Sequence, residues 1–141
     1  MMRLMLSVAF AFTLSVAVAQ DGPAGIAVVQ APEAGLGICN ASDMESGLDC
    51  ARMECIEQSG LTENECVVDL WCQPALWSAD IFMQHTEGPH WHQVICGWQD
   101  REHLEAAVAL RCDSDYLIEC SAVRIWDPEG NEIAVEAEGA D

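Results

Sequence analysis

Three of the four histidines fall within eight residues, "HTEGPHWH", residues 85–92. Imidazole is a ligand for copper, zinc and nickel. If the turn read from His85 to Pro89 is a hairpin, His90 and His92 point to one face, because strand side chains alternate. His85 then approaches from the partner strand, with Glu87 beside it. His85, His90 and His92 are therefore the candidate ligands for a divalent transition metal, the one cofactor the residue types suggest. No established metal motif has this spacing, and the competing reading is a polar hairpin tip with solvated histidines.

Other chemistries find less support. There is no G-x-S-x-G, all five basic residues are arginine, and the cysteines are expected to be oxidised, so no nucleophile stands beside a base. "DPEGNE", residues 127–132, lacks the ligand spacing of a calcium loop and reads as a turn. With 24 Asp and Glu, any choice of general acid would be arbitrary. The expectation is a protein that is not an enzyme.

Eight cysteines in so short a chain read as four disulfides. No C-x-x-C occurs, which removes thioredoxin-type redox chemistry, zinc knuckles and covalent haem. Residues 1–19 have the form of a secretory leader. Arg3 opens it, an apolar run follows from Leu4 to Val18, and Ala17-Val18-Ala19 is a small-x-small cleavage site. Cleavage would leave a chain starting at Gln20, in the periplasm or outside the cell. The formal charge is −19, and loss of Arg3 makes it one unit more negative. Such a surface excludes nucleic acid and anionic lipid as partners and favours a basic secreted protein. The alternative is that acidity serves solubility in a saline habitat.

The elements that would position these groups come from a repeat. At an offset of fifty-seven, Ile38 aligns with Ile95, Cys39 with Cys96, Asp43 with Asp100, Glu45 with Glu102, and Cys55 with Cys112. Matched cysteines at both ends of a gapless window indicate a duplicated unit. In each, two strands precede a helix capped by Asp43 or Asp100, and a third strand follows. Met44, Leu48, Ala51 and Cys55 should face the core from the first helix. Leu104, Ala107, Val108 and Arg111-Cys112 should do so from the second. The expected fold class is α+β: a duplicated β-β-α-β unit, about 24–75 and 76–126. Its sheet is antiparallel or mixed, of six or seven strands, with two helices on one face. The single disulfide-stapled domain spans 20–135, and 136–141 is an acidic, disordered tail.

The repeat also suggests the bridges. Cys55–Cys66 and Cys112–Cys120 sit at the same place in each unit. Cys39, Cys50, Cys72 and Cys96 then allow three connectivities, of which Cys39–Cys96 with Cys50–Cys72 is favoured. Five tryptophans are many for this length. Trp71 and Trp126 end equivalent strands and should be core. Trp91 and Trp98 flank the histidine strand and are the candidate partner-binding residues.

The second unit resembles the bacterial secreted family catalogued as domain of unknown function forty-one eighty-nine. Ala107 and Cys112 on an alanine-rich helix, then Cys120 opening a strand, carry the resemblance. The first helix departs from it, with Gly47 and Cys50 where Ala or Leu belongs. The resemblance implies export and disulfides and no established activity. The sequence thus leads to an exported, acidic, disulfide-stabilised binding module, an inhibitor of or partner for a cationic protein. The alternatives are a periplasmic metal-binding protein using the histidine hairpin and an envelope protein without catalytic activity.

Overall fold

The computed structural model describes residues 24–135; the expected leader and acidic tail lie outside the described residues. The order is β1 (Gly25–Ala31), β2 (Gly35–Ala41), α1 (Met44–Ser59), β3 (Val67–Cys72), β4 (Trp77–His85), β5 (His90–Trp98), α2 (Arg101–Cys112), β6 (Leu117–Trp126) and β7 (Glu132–Ile133). The fold is α+β and stapled by four disulfides.

The strands make two antiparallel sheets rather than one, ordered β2-β1-β3 and β5-β4-β6-β7. Each unit therefore places its first strand between its second and third. The sheets meet face to face. Ile26, Val28, Leu36 and Ile38 from one pack with Val94 and Trp126 from the other. The outer faces carry the helices. Ala51 and Cys55 of α1 lie on Ala27, Val29 and Cys39, while Leu104 and Ala107 of α2 lie on Ala79, Ile81 and Ile95. The expectation of two helices on one face is corrected. Strands with apolar residues on both faces need covering on both, and one helix per unit covers only the outside.

Both helices begin as their sequences dictate. Asp43 accepts from the Ser46 N–H at 3.0 Å and Asp100 from the His103 N–H at 2.9 Å. α1 lies unusually close to its sheet. A Cβ at Gly37 would run into the Ala51 carbonyl, and one at Gly47 would meet the Trp71 ring at 2.8 Å. Gly47 therefore takes the buried position expected of Met44, which is exposed, and Leu48 is only half-buried. On α2, Arg111 is exposed and Val108 half-buried, so the buried stripe is narrower than expected. α1 also guards the outer edge of β2. The Leu36 and Ile38 N–H groups donate to Gln58 and Glu54 at 3.4 and 3.0 Å, satisfying donors that an edge strand leaves open.

The bridges are Cys39–Cys50, Cys55–Cys66, Cys72–Cys96 and Cys112–Cys120. The two repeated ones are as expected; Cys39–Cys96 and Cys50–Cys72 are corrected. The reason is a one-residue slip between the units. Ile38 faces the opposite sheet, whereas its aligned partner Ile95 faces α2. Cys39 accordingly points at α1 and Cys96 at the space between the sheets. Unit two inserts an extra residue beyond Ile95, at a bulge where Gly97 has φ of 85°. This restores the alignment in the helix. A single-residue slip exchanges the two faces of a strand, so matching cysteines need not have matching partners. Cys72–Cys96 joins the two sheets covalently.

Candidate functional site

The middle of the second sheet buries one charged group. Asp80 has 0% exposure. It lies on the inner face of β4, flanked by β5 and β6. His92 Nδ1 lies 2.8 Å from its Oδ1, and Arg124 donates to Oδ2 from Nε at 3.2 Å and from a terminal nitrogen at 2.9 Å. A carboxylate only accepts, so His92 Nδ1 carries a proton, and in the neutral imidazole the lone pair is on Nε2. The Arg124 guanidinium lies 5.4 Å from the Trp126 ring centroid. One buried carboxylate thereby fixes an imidazole and a guanidinium from its two neighbouring strands. Sequence reasoning missed Asp80 and Arg124. The signal available was an acidic residue inside the apolar run "WSADIFM", which charge statistics alone do not distinguish from the other carboxylates.

The expected three-histidine cluster divides. Phe82 pairs with His92 and Gln84 with His90, which puts both histidines on the inner face. Their rings lie 5.5 Å (His92) and 5.8 Å (His90) from the Phe82 ring. His85 alternates to the other face, where its ring stacks on Tyr116 at 6.0 Å. Its Nδ1 accepts the Glu87 N–H at 3.1 Å. Among the described residues, Cys39, Cys50 and Glu54 form the one set of three ligand-type groups within 4.8 Å of one another. Two of these are sulfurs bonded to each other, so that set offers no thiolate. Among the hydrogen bonds of the described residues, none joins His92 to a hydroxyl or thiol.

Two clefts open along the seam between the sheets. One, of about 210 Å³, is bordered by His90 and His92 on one side and by Gln30, Glu33, Leu36 and Gln58 on the other. The second, of about 300 Å³, lies where β3 faces β5, between Asp69 and Leu70 and the run Trp91 to Val94. Gln30 and His92 border both.

The two candidate tryptophans differ. Trp91 is half-buried; it packs with the α2 cluster and also lines the second cleft. Trp98 is half-buried against the same cluster, with its indole Nε1 buried and without a hydrogen-bond partner. Trp126 is core as expected, and Trp71 is half-buried beneath α1 rather than in the equivalent place.

The surface charge is uncompensated by the few cations. Arg52 pairs with Asp49 at 3.4 Å, Arg101 with Glu105 at 2.7 Å and Arg124 with Asp80, while Arg111 donates to Gln93 at 3.5 Å. Hydrogen bonds from Ser46 hold the Asp43 carboxyl below the usual aspartate value, and those from the His103 backbone and ring do the same for Asp100. Asp127 is lowered chiefly by the Asn131 side chain. It closes the 127–131 turn on itself, accepting the Glu129 and Asn131 N–H groups at 3.0 and 2.8 Å, which is the turn that "DPEGNE" suggests. Comparison with family models, with curated proteins and with solved structures gave no match.

Proposed function

We propose that this chain is an exported binding module without catalysis of its own, and that it docks a basic protein through the cleft between β3 and β5. The observation that carries this reading is the lining of that cleft. Asp69 gives it an acidic rim, Trp91 an aromatic wall, and Gln30 offers an amide acceptor. An arginine or lysine side chain of a partner meets there an opposite charge and a π-face, and such cation–π contacts are worth about 0.5–2 kcal/mol. The acidic surface supports the same reading by steering a cationic partner toward the cleft.

Export is part of the proposal. Four bridges belong to an oxidising compartment, and among the described residues no helix is long and apolar enough to cross a membrane. Placement in the periplasm or outside the cell follows from the leader read in residues 1–19. The experiment is capture from the native envelope or secreted fraction on the immobilised chain. A basic protein retained by the unmodified chain and lost with Asp69→Asn and Trp91→Ala supports the reading. Equal retention by both variants contradicts it.

A further inference from the structure

We propose that His90 and His92 form a binding site for a single divalent transition-metal ion, copper, nickel or zinc, with Asp80 as the positioning group behind His92. His92 borders both clefts, while His90 borders only the one away from Asp69 and Trp91; the metal proposal does not rest on the docking proposal.

Three features of the geometry point this way. Histidines that bind metals commonly donate their other ring N–H to a carboxylate, which fixes the tautomer and turns the free nitrogen toward the ion. His92 has that arrangement: Nδ1 meets Asp80 at 2.8 Å, which in the neutral imidazole leaves the lone pair on Nε2. The carboxylate is anchored in turn. It is fully buried, and Arg124 holds its other oxygen through two N–H groups. Burying a carboxylate in this way is costly, and here it orients one imidazole.

The second feature is His90. It lies two positions before His92 on the same face of β5, and both rings pack on Phe82. Alternate residues on a strand are about 6.6 Å apart. Imidazole side chains can converge over that span to place a nitrogen ~2.0–2.1 Å from a shared ion. The third feature is the cleft. Both histidines border the space of about 210 Å³ whose far side carries Glu33. Glu33 does not join the two imidazoles within 4.8 Å as a third ligand, so water completes the coordination. Imidazole ligands select copper, nickel and zinc over calcium and magnesium, which prefer oxygen. His85 takes no part, because it occupies the other face and its Nδ1 already accepts a backbone N–H.

The test is calorimetric titration of the full disulfide-bonded chain with copper(II), nickel(II) and zinc(II), in excess calcium to saturate exposed carboxylates. A single ion is expected to bind despite the calcium. Its affinity should fall by at least about tenfold with His90→Ala, and by roughly 10–100-fold with Asp80→Asn, the range for losing such a supporting carboxylate. His85→Ala and His103→Ala should leave it unchanged. Because Asp80→Asn touches the core, copper(II) is also titrated into the unmodified protein while the imidazole proton resonances are followed. His90 and His92 should broaden before His85 and His103. Displacement of the ion by calcium, unchanged affinity in His90→Ala, or uniform broadening of all four histidines would overturn the proposal.

Discussion

His92 on β5 donates a hydrogen bond of 2.8 Å to Asp80 on β4, and Asp80 is the one fully buried carboxylate among the described residues. The same carboxylate receives Arg124 from β6 at 2.9 Å. Three strands of the second sheet are thus tied by one charge, beside the apolar contact between the sheets. The first sheet has no such feature among its described hydrogen bonds; its inner face at Val28 and Ile38 is purely apolar. The duplicated units share a backbone plan and diverge in what they place in the seam.

Replacing Asp80 with Leu leaves Arg124 and His92 without their shared acceptor. Removing one member of a buried pair costs about 3–5 kcal/mol. Arg124 and His92 are each about one-third exposed, at 31% and 30% of the side chain, so water relieves them and the lower end, about 3 kcal/mol, is expected. Asp80→Leu combined with Arg124→Met should recover part of the loss. Urea denaturation measures both. A loss below about 1 kcal/mol, the value of an exposed pair, would show that the buried carboxylate does not tie the strands.

Cys72–Cys96 is the bridge that crosses between the sheets, with a sequence separation of 24. In the chain-entropy estimate, closing that loop is worth about 3.5 kcal/mol, against about 2.6 kcal/mol for Cys112–Cys120, whose separation is 8. Paired replacement of Cys72 and Cys96 by Ala should therefore destabilise more than the same change at Cys112 and Cys120. Peptide mapping without reduction should return Cys39–Cys50 and Cys72–Cys96. Recovery of Cys39–Cys96 would contradict the observed strand faces.

Acid should weaken the helix starts. Asp43 and Asp100 are held below the ordinary aspartate value of 3.8 by the N–H and side-chain groups they cap. A carboxyl lowered in the folded state gives stability that is present above its unfolded value and is lost as pH falls through the folded value. The melting temperature should therefore decline below about pH 3.8. Asn also caps helices, so Asp43→Asn with Asp100→Asn should change stability little at neutral pH and make the acid decline shallower. An unchanged acid slope in that variant would show that the caps do not contribute to it.

The elements were legible because their signals are local. Asp43 and Asp100 mark helix starts, the stretch from His85 to Pro89 marks a hairpin turn, and apolar runs mark strands. The two-sheet arrangement was not legible, because strand periodicity tells which residues are buried and not what covers them. The slip between β2 and β5 was hidden by a gapless alignment. The insertion at Gly97 restores the match in the helices and conceals the mismatch in the strands. His90 and His92 were found together by their i, i+2 spacing. Asp80 and Arg124 meet across 44 positions of sequence, a separation at which spacing carries no signal.

The central claim is that a cationic partner docks between Asp69 and Trp91. Its most direct test is titration with lysozyme as a basic probe, followed by tryptophan fluorescence at low and at high salt. Binding is expected to weaken but persist at high salt, with a Trp91-dependent fluorescence change. Asp69→Asn and Trp91→Ala should each reduce affinity by about tenfold, in line with loss of about 1.4 kcal/mol. Binding that vanishes at moderate salt and is the same in both variants would contradict the claim, because it would show attraction to the acidic surface as a whole with no docking in the cleft.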